Sequence, residues 1–226
     1  TLGESWTKNT GWLTTRDVCD WHGIECSEGD ANVTGIWLGS NNLTGTLVAA
    51  TFLWEMETIA AFDAHDNLLT GTVPDEVADL VALEYLDLSG NSLTGDVPSP
   101  LGAMESLRTL NLADNNFDSI GNDWGVDGTA LEQLFLQDND ISGFLPTAWL
   151  QVNGSVFDRP ITHLDASSSL FPALRTLRMS GNNIIQPAYQ ALQSTATWPQ
   201  LSALDLRNNA LNGTLDGIFD VLYCAD

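Results

Sequence analysis

The sequence has few basic residues. Of its 226 residues, 7 are Lys or Arg and 30 are Asp or Glu, so the formal net charge is −23. Such a chain repels phosphate backbones and anionic lipids, which argues against binding to nucleic acid or to an anionic membrane surface. The charge favours cationic partners or divalent ions. It also has a simpler interpretation, since an acidic exterior keeps an extracellular protein soluble.

Long apolar runs and catalytic motifs are also lacking. No stretch reaches the roughly 18 apolar residues that indicate a membrane span, so we predict no direct membrane insertion of this segment. No basic start with an apolar signal core is present either, so a secreted form would be mature or trimmed. The three histidines, His22, His65 and His163, show no HExxH spacing, and no nucleophile elbow is recognisable. Asp63, His65 and Asp66 could bind a cation or act in acid–base chemistry, but alternating residues on an exposed strand routinely bring such groups together. We predict no enzymatic activity.

The chain is rich in one repeated unit instead. The segment LEYLDLSGNSLTGDVP, residues 83–98, recurs along most of the chain. Its asparagine, the ninth residue of the unit, returns at spacings of 24 to 27 residues, apart from one spacing of 43. A fixed period of this size predicts a solenoid. The recurring residues are Asn41, Asn67, Asn91, Asn115, Asn139, Asn182 and Asn209.

Each position of the unit has a physical reason. Leu86 and Leu88, at positions 4 and 6, point to the same side of a short strand, and Asp87 between them points outward. Asn91 points inward, where its amide must satisfy backbone groups at the turn. Gly95 permits a positive φ, and the proline that follows suits an extended segment that donates no hydrogen bond.

This unit resembles the leucine-rich repeat of the plant-specific type, over roughly residues 33–215. The resemblance implies an α/β repeat fold: a right-handed solenoid with a parallel β-sheet on its concave face and short helical or 3-10 segments on its convex face. The fourth and sixth units have Ser119 and Gln186 in place of the glycine, which puts their second, outer strand in doubt. The seven units are 33–47, 59–74, 83–98, 107–120, 131–146, 174–185 and 201–215.

Residues 1–32 do not fit the repeat and are predicted to form an N-terminal cap. They contain three tryptophans around the segment CDWHGIEC, and this pattern resembles the cap that precedes plant-type repeats. The resemblance implies a disulfide between Cys19 and Cys26 in a cap that covers the open end of the solenoid. Two nearby cysteines and one histidine are too few for a closed zinc site. A disulfide implies an oxidising compartment, outside the cell or in the secretory pathway.

The predicted solenoid covers residues 33–223, with an insertion at about 151–171 and a short end at 224–226. Long irregular loops are usually functional or disordered. In some receptors that the chain resembles, an insertion folds onto the concave face and helps form the ligand pocket; a tolerated surface loop is the alternative. Cys224 is unpaired by count. It indicates a truncated C-terminal cap, an intermolecular disulfide or a buried free thiol.

The concave face carries the candidate ligand-binding residues, because equivalent positions stack about 4.8 Å apart from coil to coil. Aromatic side chains stand there where the repeat does not require them, as on a peptide- or sugar-binding surface. Arg175, Arg178 and Arg207 cluster on the last two coils, which suggests an acidic ligand or pairing with carboxylates such as Asp205. The predicted ligand-binding residues are Trp37, Asp63, His65, Tyr85, Asp87, Phe135, Arg178 and Arg207.

The sequence predicts no metal site and no cofactor. Calcium remains a candidate at the acidic, glycine-rich segment 118–128, although its spacing does not match an EF-hand. Asparagines in N-x-Ser/Thr sequences are candidate glycosylation sites. They are Asn32, Asn42, Asn153 and Asn212.

Two functions remain open. The first is an extracellular module that recognises a protein, peptide or glycan, as the resemblance to receptor-like kinase ectodomains and polygalacturonase-inhibitor-like proteins implies; it would be the ectodomain of a receptor-like protein or a secreted relative. The second is a structural component of an extracellular matrix or filament, self-assembled through acidic surfaces, glycans or Cys224.

Overall fold

A parallel β-sheet runs the length of the concave face. The computed structural model describes residues 6–12, 14–15, 17–29, 32–48, 53–122, 124–125, 130–146, 149, 171–185 and 200–212. The strands of this sheet are β1 (Ile24–Cys26), β2 (Val33–Trp37), β4 (Ala61–Asp63), β6 (Tyr85–Asp87), β8 (Thr109–Asn111), β10 (Gln133–Phe135), β12 (Thr176–Arg178) and β14 (Ala203–Asp205). They lie in that order, and all neighbours are parallel except β1 and β2. The predicted leucine-rich repeat solenoid is confirmed.

Outer strands form a second layer of pairing. Their bounds are β3 (Thr44–Thr46), β5 (Leu68–Gly71), β7 (Ser92–Val97), β9 (Asn116–Ile120), β11 (Ser142–Gly143) and β13 (Asn183–Ile184). The first four form one sheet and the last two another. The fourth and sixth units therefore keep the outer strand, and the doubt raised by Ser119 and Gln186 was wrong. Gly95 has a φ of +83°, and the pairing of β7 with β9 shifts register after it, so Asp96 lies opposite Ser119. The pairing of the outer strands thus accommodates a residue other than glycine at this position.

Short 3-10 helices lie in the cap and on the return path of the coils. They are η1 (Val18–Asp20) in the cap, η2 (Asp75–Asp79) and η3 (Ser99–Ala103). Both η2 and η3 follow a proline that ends the extended segment. The predicted convex 3-10 segments are therefore present.

The core is a stack of strand leucines. Leu86, Leu88, Leu110 and Leu112 are all fully buried, as the alternation within the unit predicts. An aromatic cluster of Trp124, Trp149 and Phe171 extends this core, with ring centroids 5.7–5.9 Å apart.

Buried asparagine amides join successive coils. The Oδ1 of Asn115 accepts the N–H of Leu93 at 2.9 Å, and its Nδ2 donates to the carbonyl of Leu88 at 2.9 Å, both in the preceding coil. The same Nδ2 also donates to two carbonyls of its own turn, those of Leu112 and Ala113. The equivalent asparagines, Asn67, Asn91, Asn139, Asn182 and Asn209, make corresponding bonds.

The N-terminal cap continues this ladder. Asn41 accepts the N–H of Lys8 and donates its Nδ2 to the Lys8 carbonyl at 2.9 Å. Cys19 and Cys26 form the predicted disulfide. Trp12 contacts both Trp6 and Trp21, with ring centroids 4.8 and 5.0 Å apart, and β1 covers the edge of β2. The cap thus closes the solenoid end as expected. The insertion at 151–171, apart from Phe171, and Cys224 lie outside the described residues.

Replacing Asn115 by alanine is expected to lower the free energy of unfolding by about 3 kcal/mol, because it leaves a buried N–H and several carbonyls without partners. The measurement is urea denaturation of the full chain, followed by tryptophan fluorescence. Asn122→Ala, at an exposed asparagine outside the ladder, is the control and is expected to change stability by less than about 0.5 kcal/mol. Equal effects of the two substitutions would contradict this role for the ladder.

Candidate functional site

Polar residues at position 5 terminate the strands of the concave sheet. Asp63 and Asp87 accept the backbone N–H two residues ahead through Oδ1, at 3.0 and 2.9 Å. Asn111 and Asp205 do the same at 3.2 and 3.1 Å. A short side chain that bonds its own backbone in this way stabilises a turn. Asp63 and Asp87, predicted as ligand-binding, therefore also have a structural role, one that their recurrence at position 5 could have indicated.

Position 8 adopts a left-handed backbone conformation in every unit. Asp66, Asp114 and Asp138 have φ values of 50°, 53° and 56°, and Gly90 occupies the same position with a φ of 64°. Aspartate and asparagine tolerate this conformation better than most residues. The acidic column is therefore explained by the turn. Burial and the nearby charges of Asp138 and Asp66 raise the pKa of Asp114.

An aromatic pair covers the first strands of the concave face. Trp37 on β2 and Tyr85 on β6 are separated by β4, yet their ring centroids lie 5.7 Å apart. Small residues make this contact possible, because Gly35 and Ala61 lie in register with Tyr85. A Cβ on Gly35 would lie 2.8 Å from the Nε1 of Trp37. We call Trp37 and Tyr85 the aromatic platform.

His65 lies two residues after β4, the strand between those that carry the aromatic platform, and contacts Asp63. Its Nδ1 is 2.6 Å from Asp63 Oδ1, and its Nε2 is 4.0 Å from Asp66 Oδ2. The ring packs over Gly39, where a Cβ would come within 2.1 Å of Cε1. Partial burial lowers the pKa of His65. The hydrogen bond and charge of Asp63 outweigh this effect, with help from Asp87 and Asp66, so the net shift of the pKa is upward from 6.5.

Asp87 is the centre of a hydrogen-bond network. Its Oδ2 accepts from the Tyr85 hydroxyl at 3.1 Å and from Asn111 Nδ2 at 2.9 Å, and its Oδ1 accepts from the Ser89 hydroxyl at 2.6 Å. Burial, followed by the charge of Asp87, raises the pKa of Tyr85 well above its usual value of 10.0. Tyr85 therefore stays a neutral donor at physiological pH.

The arginines of the later coils have partners within the chain. Arg108 contacts Glu84 and Glu132 at 3.7 and 3.2 Å, and Arg175 contacts Glu132 at 3.7 Å. Arg207 donates two side-chain hydrogen bonds to Asp205, at 2.8 and 2.7 Å, and these hold the pKa of Asp205 well below its usual range. For Arg175 and Arg207, pairing within the chain is thus favoured over contact with an acidic ligand.

Arg178 differs from these arginines, because its guanidinium carbon lies 5.5 Å from the ring centroid of Phe135.

The predicted ligand-binding residues fall into two groups on one sheet. Trp37, Asp63, His65, Tyr85 and Asp87 come together on β2, β4 and β6 or directly after β4. Phe135, Arg178 and Arg207 lie on or just after β10, β12 and β14.

The other predicted sites are partly described. Asn32, Asn42 and Asn212 are exposed, and Asn212 donates its side-chain nitrogen to the Ile185 carbonyl at 3.0 Å; Asn153 lies outside the described residues. The candidate calcium segment 118–128 is only partly described. Within the described ranges, no group of three or more His, Cys, Asp and Glu side chains is arranged to hold a metal ion. The helices found there are too short to span a bilayer.

Comparison with known proteins agrees with this architecture. A family model for leucine-rich repeats, in two copies, matches residues 81–123. Receptor-like protein 7 of Arabidopsis thaliana is 34% identical over 79 residues, which cover 34% of this chain and 8% of that protein. The chain thus aligns with less than a tenth of that relative's length.

Solved structures with the same fold cover more of the chain. The plant peptide hormone receptor RGFR1, solved in complex with RGF2, has a TM-score of 0.68 and 27% identity over 90% of this chain and 28% of its own. A pollen receptor kinase 3 has a TM-score of 0.66 over 96% of this chain and 92% of its own, and its 22% identity shows the fold alone. The repeat unit, its geometry and these similarities together show a leucine-rich repeat fold. The repeats are similar to those of the plant-specific type.

The contact of His65 with Asp63 predicts how the imidazole titrates. Asp63→Asn is expected to lower the pKa of His65, because it removes the carboxylate charge but keeps the oxygen that accepts the His65 N–H. The measurement is an NMR titration of the His65 Cε1 proton. A pKa of His65 that stays unchanged in Asp63→Asn would contradict this.

The same contact makes part of the stability depend on pH. The folded pKa of His65 is raised, so its contribution is present below the unfolded pKa of about 6.5 and is lost as the pH rises through the folded pKa. We therefore expect His65→Gln to destabilise the chain more at about pH 5 than at about pH 9, as measured by urea denaturation. An equal loss at both pH values would exclude this linkage.

Proposed function

We propose that the chain is the ligand-recognition part of an extracellular, receptor-like protein, and that it binds a protein or peptide on the concave sheet. It acts by binding and not by catalysis. One observation supports this most directly. At position 5, an Asp or Asn side chain accepts a backbone N–H of the turn in four units. In the other three units this position is occupied by Trp37, Phe135 and Arg178.

These three side chains cannot accept the N–H that Asp63 or Asp87 accepts, so the turn gains nothing from them. They place large aromatic and cationic groups on an accessible sheet, and Trp37 is 41% exposed. Aromatic residues and arginine are the types that most often dominate binding energy at protein interfaces. Their position is therefore better explained by recognition than by folding.

The comparisons support the same class of function. One relative is named a receptor-like protein, and RGFR1 is a plant peptide hormone receptor that was solved in complex with RGF2. The disulfide in the cap supports an oxidising, extracellular location.

Selection of a displayed random-peptide library on the full chain tests the proposal. We expect the selected peptides to bind Trp37→Ala or Phe135→Ala at least about tenfold more weakly, since truncation of an interface anchor costs about 1–2 kcal/mol or more. Affinities are measured by biolayer interferometry against each variant.

Two apolar truncations outside the concave sheet serve as matched controls. Leu68 on β5 and Val81 after η2 are 54% and 64% exposed. Leu68→Ala and Val81→Ala are expected to leave the affinities unchanged. Peptides that lose affinity for these two variants and retain it for the concave ones would overturn the proposal.

A further inference from the structure

Phe135 and the aromatic platform of Trp37 and Tyr85 differ in one respect. The ring of Phe135 has a cation against it, because the guanidinium of Arg178 lies 5.5 Å from its centroid. No Lys or Arg within the described part of the chain makes such a contact with Trp37 or Tyr85. Aromatic rings attract cations through the negative potential of their faces. The aromatic platform is thus a surface of the same kind without a cation of its own.

Carboxylates surround the aromatic platform. Glu25 Oε2 accepts from Trp37 Nε1 at 2.9 Å, and Asp87 Oδ2 accepts from the Tyr85 hydroxyl at 3.1 Å. Asp63 lies on β4, between the two strands that carry the rings. It is paired in register with Trp37 on one side and with Asp87 on the other. The side chain of Asp63 is only 12% exposed, so water screens its charge less than that of a surface carboxylate.

These carboxylates lack arginine partners, unlike those elsewhere on the sheet. Glu84, Glu132 and Asp205 each pair with an arginine. Among the described residues, Glu25, Asp63 and Asp87 form no ion pair with Lys or Arg, and His65 is the single basic side chain paired with any of them. At most one of these three charges is compensated, so a net negative charge remains beside Trp37 and Tyr85.

We propose that the aromatic platform, with Glu25, Asp63 and Asp87, binds the guanidinium of an arginine side chain on the ligand. This rests on the proposed function and names the chemistry that the ligand must carry. Arginine suits the site better than lysine, because its planar group stacks on rings and donates to carboxylates at the same time. A neutral sugar would contact the rings but leave the charge uncompensated.

An NMR titration of the full 15N-labelled chain tests this subsite. The probe is the capped tripeptide acetyl-Gly-Arg-Gly-amide, and its control is the same peptide with citrulline, which has nearly the same shape without the charge. The indole N–H signal of Trp37, assigned with Trp37→Phe, is expected to shift saturably with a dissociation constant in roughly the millimolar range. The citrulline peptide is expected to bind at least about tenfold more weakly.

Variants separate this site from the general negative charge of the chain. Glu25→Gln and Asp63→Asn keep the acceptor oxygens and are each expected to weaken the arginine peptide severalfold. Glu84→Gln removes the same charge from the same sheet but beside Arg108, and is expected to have no effect. Equal binding of the citrulline peptide, or equal weakening by all three variants, would overturn the inference. So would a Trp37 shift with cellohexaose and none with the arginine peptide.

The two proposals fail in different ways. If library-selected peptides require Trp37 but bind unchanged when each arginine is replaced by citrulline, the arginine subsite is wrong and the concave recognition surface remains. If the arginine tripeptide binds at Trp37 while selected peptides ignore the concave variants, the subsite is supported and the proposed function is overturned.

Discussion

One asparagine amide in each coil, buried in most of the coils, is the interaction on which the rest of the structure depends. It accepts a backbone N–H from the preceding coil and donates to a carbonyl there, so it fixes both the distance and the register between coils. Without it, every turn out of the sheet would bury unpaired backbone groups. Asn41 makes the equivalent bonds to Lys8, so the cap is attached by the same interaction that joins the repeats. The concave sheet is regular because this ladder is regular.

That regularity makes departures from the repeat meaningful. The turn after each strand favours Asp or Asn at position 5, which bonds the N–H ahead, and residues that tolerate a positive φ at position 8. The acidic columns of the concave face thus follow largely from backbone needs. Trp37, Phe135 and Arg178 break the pattern, and the two aromatic groups built around them are the parts of the sheet that folding does not explain.

The sequence predicted what depends on local chemistry. The repeat period and the asparagine ladder follow from residues at fixed spacing, whereas the cap with its disulfide was implied by the resemblance of residues 1–32 to the cap of plant-type repeats. The outer strand of the fourth unit could not be judged from Ser119 alone, because a register shift in the pairing with β7 accommodates it. The contact of Trp37 with Tyr85 could not be predicted from the sequence either. It joins side chains two strands apart and depends on the absence of bulk at Gly35 and Ala61.

A crystal structure of the chain with the tightest library-selected peptide would test the central claim most directly. The account predicts a peptide that lies along the concave sheet, with a basic side chain against Trp37 and Tyr85 and within hydrogen-bond distance of Asp63 or Glu25. A peptide bound on the outer strands or on the convex return segments, with the aromatic platform still open to solvent, would contradict it.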